Sequence, residues 1–241
     1  MSYVPRHVTQ ADGSPSQWVN CWAAVGAWLA RGASRGRRRP SPSRFRRWAR
    51  KPPKTTGGLA DISRGLRAKG LWAGRGRWLN DLSRAQMRHR FLADDGKLYA
   101  AESDFNVWPV ADRCQADFGD RPDAYHMIGI VAGGTGREVR VMDPLCDRLH
   151  RVNVDDVIDA VITYNDEHSG EKRGTGDLIV IVPPKRTQAD PPPDAPDEPD
   201  DDPEPADQCA EAIANAKAAG RESAFVQLIR ATQAMRSEPE G

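Results

Sequence analysis

The residues best suited to chemistry begin with a cysteine at the start of a helix. Asn20 precedes the run Cys21-Trp22-Ala23-Ala24-Val25-Gly26-Ala27-Trp28-Leu29-Ala30, in which Val25, Trp28 and Leu29 fall on one face at helical spacing. Asn20 is expected to act as the N-cap, which puts Cys21 in the first turn of a largely buried helix. There the helix dipole and unpaired backbone amides favour thiolate over thiol, the form that acts as a nucleophile. Taken alone, such a cysteine is as readily a small apolar core residue.

A base and an acid to serve it come from a hairpin pattern. Tyr125-His126-Met127-Ile128-Gly129-Ile130-Val131 and Val139-Arg140-Val141-Met142-Asp143 flank the turn-forming Gly133-Gly134-Thr135-Gly136. A turn centred between Gly134 and Thr135 pairs positions whose numbers sum to 269, which makes His126 and Asp143 direct cross-strand neighbours. Their Cβ atoms would then lie about 4.5–5.5 Å apart. A carboxylate at that distance holds one imidazole nitrogen and leaves the other to take a proton from a thiol. The pairing depends on register, because a slip of one residue sends the two side chains to opposite faces.

Other candidates lead nowhere as clear. His89 lies between Arg88 and Arg90 on a helix pattern, His150 flanks a strand, and His168 sits in polar sequence beside Ser169-Gly170. Cys146 and His150 make at most half of a metal site, and no metal or cofactor is expected. The four cysteines (Cys21, Cys114, Cys146 and Cys209) are far apart and suggest no disulfide framework. The glycines at 133–136 lie between strands rather than before a helix, so they are no phosphate loop.

The elements that position these residues read as helices first and strands second. After the Cys21 helix, which Gly32 is expected to end, an Arg-rich stretch over 34–56 reads as a basic surface excursion with a short helix near 43–50. Gly58 opens a helix carrying Leu59, Ile62 and Leu66, and Ser83–Leu92 suggests another with Met87 and Phe91 inward. Strands are expected at 97–105, 124–132, 138–143, 149–152 and 177–182. A helix over 154–164 is capped by Asn153. This is an α+β plan with N-terminal helices packed on an antiparallel sheet. The domain spans 1–185, followed by an acidic, Pro-rich linker over 186–207 and a short helical tail over 208–241.

In this order the residues resemble the C39-like branch of the papain-like cysteine peptidases. The likeness rests on Cys21 at a helix start, a helical section including Gly58–Arg67, His126 opening a strand, and Asp143 in Val141-Met142-Asp143-Pro144-Leu145. It covers about residues 10–183. The resemblance implies a papain-like fold and a peptidase or amidase with Cys21 as nucleophile, His126 as base and Asp143 as orienting acid. It also implies a Gln that completes the oxyanion hole beside the nucleophile's own N–H. Gln17 is the candidate, although three residues separate it from Cys21 where the family usually has five, and Gln10 lies farther off. Related domains cleave leader peptides after paired glycines or cut peptidoglycan cross-bridges in phage and bacterial lytic proteins. A peptide or peptidoglycan-peptide substrate, and a phage or bacterial setting, are the corresponding expectations.

Composition sets the bounds. The 241 residues carry a formal net charge of +1, which hides a basic front and an acidic tail: 20 Lys/Arg against 5 Asp/Glu over 1–95, and 5 against 13 over 186–241. No signal-peptide pattern and no membrane-length apolar run occur, so a cytoplasmic or virion-associated protein without a membrane partner is expected. The tail is a candidate docking segment for a protein partner. Two rival readings stand beside the enzyme. One is an inactive papain-like interaction module. The other is nucleic-acid binding through Arg35–Arg50 with Phe45 and Trp48 interleaved, although nucleic acid is not the expected partner. Under the enzyme reading Asp143→Asn should lower activity only modestly. Removing the half-exposed Asp143 should then hardly change stability.

Overall fold

A computed structural model describes residues 3–10, 20–52, 55–94, 96–104, 107–108, 125–134, 136–146 and 148–184. The expected linker and tail, Gln17, Cys114 and Cys209 lie outside these residues. All described elements belong to the first of the chain's two units, Met1–Glu198.

Among the described residues, five helices and six strands follow one another as α1 (Cys21–Ser34), α2 (Pro42–Trp48), α3 (Leu59–Ala68), β1 (Gly76–Ser83), α4 (Arg84–Ala93), β2 (Leu98–Asp104), β3 (Tyr125–Val131), β4 (Glu138–Met142), β5 (Leu149–Asn153), α5 (Val154–Ser169) and β6 (Thr175–Ile181). The strands form one sheet in the order β1-β6-β2-β3-β4-β5, antiparallel at every pairing. The α+β plan with helices on an antiparallel sheet is therefore the observed architecture. Of these strands β1 was not expected. It is a half-exposed edge strand whose sequence lacks an apolar alternation, and Asp81 with φ 51° interrupts its register.

The sheet is buried on both faces, with alternate residues of each strand assigned to separate cores. Leu98, Ala100, Met127, Val131, Ile179 and Ile181 join α1, α2 and α3 in one cluster. Tyr99, Ala101, Ile128, Ile130, Val141, Leu178 and Val180 join α4 and α5 in the other. Every residue of α1 is buried, consistent with its place between the sheet and the other two helices. Close approach depends on glycine here: a Cβ on Gly26 would lie 2.0 Å from the Phe45 ring of α2.

Gly32 does not end α1. The helix continues to Ser34 and is capped by Arg35 in the left-handed region (φ 53°), while a Cβ at Gly32 would meet Leu98 at 2.1 Å. The glycine serves helix-to-sheet contact rather than termination. Asn153 does cap α5, its Oδ1 accepting from the Asp155 amide at 3.0 Å.

The Arg-rich stretch is partly internal rather than wholly the surface excursion expected from its charge. Arg31, Arg35, Arg39 and Arg46 are buried, as are Phe45 and Trp48, whereas Arg37, Arg38, Arg47 and Arg50 remain exposed. Arg39 donates to the Gly36 carbonyl at 2.7 Å and Arg35 to that of Pro184. Arginine suits this use because its planar fork can satisfy several carbonyls while its stem packs against apolar neighbours.

Candidate functional site

Cys21 opens α1 and is 8% exposed. The residue before it does not cap the helix. Asn20 has φ −96°, ψ 2° and makes no side-chain cap, because its Oδ1 is taken by Arg46, whose Nε donates at 3.0 Å and whose Nη2 also reaches it. Arg46 further donates to the carbonyls of Pro52 (3.0 Å) and Thr55 (2.7 Å), and its guanidinium lies over the Trp22 ring at 5.2 Å. One buried side chain thus braces both residues flanking Cys21 and the loop leading to α3. The Asn20 side chain, turned to Arg46, leaves the first amides of α1 uncapped by it.

His126 opens the buried part of β3 and pairs across the ladder with Ser103, whose Oγ donates to the His126 carbonyl at 3.2 Å. Its ring Nε2 lies 2.8 Å from Asp143 Oδ1. Cys21 lies close enough to the His126 ring to help raise its pKa. One imidazole therefore stands beside the cysteine of α1 and is held by a carboxylate at the end of β4.

The register that brings the pair together differs from the expected one. Gly129 faces Met142, Ile130 faces Val141 and Val131 faces Arg140, so facing positions sum to 271 rather than 269. The ladder closes at Val131 and Arg140 rather than at 131 and 138, a connection two residues longer, and β4 ends at Met142 just before Asp143. A two-residue shift preserves the face on which a side chain points, so 126 and 143 remain on one side but become diagonal rather than direct neighbours. The 2.8 Å contact is made across that diagonal.

Asp143 is fully buried rather than half-exposed. Burial alone would raise the carboxyl pKa, but the neighbouring His126 charge, its hydrogen bond, the Leu145 amide and the Trp108 indole together hold it below the usual range. The Leu145 N–H meets Oδ1 at 2.9 Å, and Trp108 Nε1 meets Oδ2 at 2.6 Å. For His126, burial disfavours the cation, yet the charge and hydrogen bond of Asp143, joined by Cys21, push its pKa up to about 10. The pair thus favours imidazolium beside carboxylate, the state a protonated base must occupy during acyl transfer.

The turn after β4 is fastened from the N-terminal segment. His7 Nε2 donates to the Asp143 carbonyl at 2.7 Å, Thr9 Oγ1 to the Pro144 carbonyl at 3.3 Å, and the Gln10 amide to the same oxygen at 2.9 Å. The Gln10 side chain is buried with its Oε1 unpaired. Cys146, whose N–H closes the turn onto the Asp143 carbonyl at 3.0 Å, is disulfide-bonded. The spacing of the cysteines had suggested no such bond, and the disulfide removes Cys146 as a thiol ligand for a metal.

Beside Cys21 stands an aromatic wall. Burial, then the neighbouring Cys21 and Glu102, raise the Tyr125 phenol well above its ordinary pKa, and burial, Glu102 and Cys21 raise that of Tyr164. The Tyr125 hydroxyl donates to the Gly57 carbonyl, and Glu102 Oε1 accepts from the Leu59 amide at 3.2 Å. The Tyr125 and Tyr164 ring centroids are 5.4 Å apart, and Tyr164 stacks on His168 at 3.9 Å.

Of the sequence candidates, Cys21, His126 and Asp143 come together, while His89 and His168 are exposed on helices. Trp108, His7 and Arg46 were not singled out for the site. A tryptophan in polar, Pro-containing sequence after a strand was the available signal for Trp108. Burying so large a ring requires a partner for its N–H. Among the described residues, no group of three or more His, Cys, Asp or Glu side chains is placed to hold a metal, and no helix is long and apolar enough to cross a membrane.

No protein-family model matches the chain. No curated protein matches it in sequence. Among solved structures, it is similar to the crystal structure of the peptidase domain of Streptococcus ComA, a bifunctional ABC transporter involved in a quorum-sensing pathway. The TM-score is 0.44 at 14% identity, over 75% of this chain and 98% of that domain.

Proposed function

We propose that this chain is a cysteine peptidase or amidase in which Cys21, His126 and Asp143 act as nucleophile, general base and orienting acid. The observation that carries the reading is the His126 ring, held through Nε2 at 2.8 Å by the buried Asp143 carboxylate and close enough to Cys21 for that residue to help raise its pKa.

In the proposed reaction the Cys21 proton has already passed to His126, leaving thiolate beside imidazolium, and Cys21 Sγ attacks a carbonyl carbon to give a tetrahedral oxyanion. The Cys21 backbone N–H, at the start of α1, and the side-chain amide of Gln17 receive the oxyanion. Collapse transfers the proton from His126 to the leaving amine, which departs and leaves a thioester. Water, deprotonated by His126, then releases the acid and restores the thiol. Asp143 keeps Nε2–H occupied throughout, so that Nδ1 alone exchanges protons with sulfur, amine and water.

The substrate class follows the resemblance: a peptide bond after paired glycines, or one within a peptidoglycan cross-bridge. The test is hydrolysis of such peptides combined with iodoacetamide labelling near pH 7. Cys21 is expected to label far faster than any other free thiol, and Cys21→Ala or His126→Ala to abolish turnover. Labelling of Cys21 at the rate of an ordinary thiol, with no hydrolysis of either peptide class, would replace this reading with an inactive interaction module. Gln17→Ala, compared with Gln10→Ala, tests the oxyanion assignment, and the larger fall in kcat is expected for Gln17.

A further inference from the structure

The fully buried Asp143 carboxylate is held by three donors among the described residues. His126 Nε2 (2.8 Å) and the Leu145 amide (2.9 Å) share Oδ1, while the indole N–H of Trp108, itself 3% exposed, meets Oδ2 at 2.6 Å. The terminal torsion of an aspartate is soft and roughly two-fold, and its two oxygens turn together about Cβ–Cγ. A donor on Oδ2 therefore adds to the restraint that the donors on Oδ1 place on that torsion. The indole is suited to this because it donates and cannot accept.

We propose that Trp108 is a positioning residue of the peptidase proposed above, holding Oδ2 so that Oδ1 stays aligned with His126 Nε2. The inference rests on that reading for its catalytic consequence but not for the contact itself. It also changes what Asp143→Asn should do. Sequence alone makes asparagine a near-isosteric replacement that still accepts from the imidazole. With the indole in place, the amide introduced by Asp143→Asn must turn its NH2 either toward the Trp108 N–H or toward the N–H groups of His126 and Leu145. Both orientations set donor against donor, and a buried unsatisfied donor is costly. Adding Trp108→Phe removes the conflict, because the amide can then place oxygen on the His126 side and NH2 where the indole N–H had been.

The experiment is a double-mutant cycle over Trp108→Phe and Asp143→Asn in the full chain, read as kcat and KM, as urea midpoint, and as the NMR titration of the His126 imidazole. Trp108→Phe alone is expected to lower kcat about tenfold with KM little changed and to shift the His126 titration. Asp143→Asn alone should lower kcat by about a hundredfold or more, and the double variant should recover about tenfold of that loss. Independent, multiplying effects would overturn the proposal, since a merely structural tryptophan gives no recovery. Should no variant, wild type included, hydrolyse peptide, the reading as a peptidase fails. The midpoints and His126 titration still decide whether the indole governs the pair. If Trp108→Phe does not fold, the Trp108 indole proton decides: it should resonate far downfield in the wild type and move upfield in Asp143→Asn. An unchanged position would sink the inference.

Discussion

The two sides of the candidate site are held by different physics. Cys21 is carried by a helix that apolar packing fixes along its length, with Trp22, Trp28 and Leu29 fully buried and Phe45 seated against Gly26. Asp143 sits at a strand end and is fixed by polar contacts from separate places in the chain: His7, Trp108, His126 and the Leu145 amide. Damage on the helical side should therefore appear as lost stability with a normal site in the molecules that fold. Damage on the acid side should appear in catalysis and pH dependence first. Packing energy is non-directional and tolerates some drift, whereas a hydrogen bond weakens steeply with angle and distance.

The largest expected effect probes the packing side. Phe45→Ala should destabilise the domain by about 3–5 kcal/mol, because it empties a fully buried site between α1 and α3. Urea denaturation gives the loss, and kcat per folded molecule should stay close to wild type. A variant that keeps full stability but loses kcat would mean that Phe45 shapes the site directly, and the contrast between the two sides would fail.

The next effect lies on the acid side and carries a sign. His126 is raised from 6.5 to about 10 in the fold, so the folded protein holds a proton that the unfolded chain gives up above about pH 6.5. The stabilisation is complete below that pH and is lost as pH rises through about 10. Asp143, held low, adds stability above the ordinary aspartate range that disappears as pH falls through its depressed value. Asp143→Ala should cost about 1–3 kcal/mol at pH 6, because it strands the buried Trp108 and Leu145 donors. It should also reverse the slope between pH 6 and 9, since burial without the carboxylate disfavours the imidazolium. Denaturation at the two pH values measures both. An unchanged slope would mean that Asp143 does not control His126. The fully buried carboxylate makes a stability loss the expectation, where sequence alone suggested almost none.

How far the sequence could be read follows the same division. The helices, the β3–β4 hairpin, the Asn153 cap and the Cys21–His126–Asp143 grouping come from periodicity and local turn chemistry, which short windows contain. The register was two residues off because the Gly-rich stretch allows several turn lengths. Only its parity matters for which face a side chain takes, so the pair stayed together. The Arg-rich stretch was misread as wholly surface because charge pattern does not say which carbonyls lie nearby, and those that Arg46 reaches come from the chain beyond α2. Asn20 carried a capping signal that Arg46 outcompeted. Trp108 and His7 were invisible for the same reason: their partners at 143 are 35 and 136 positions away, and no local pattern encodes a contact at that range.

The smallest expected effect separates two fasteners on the same turn. His7 Nε2 and the Cys146 amide both donate to the Asp143 carbonyl, at 2.7 and 3.0 Å, so His7→Ala removes one donor without orphaning the oxygen. The cost should be that of one ordinary hydrogen bond, about 0.5–1.5 kcal/mol. Thr9 and Gln10 would still hold the N-terminal segment to the Pro144 carbonyl. Because His7 touches the backbone of Asp143 and Trp108 its carboxylate, His7→Ala should change kcat less than Trp108→Phe does and leave the His126 titration in place. Both variants measured at one pH give the comparison. Equal losses of kcat, with the titration moved in both, would assign the alignment of the carboxylate to the whole turn rather than to the indole.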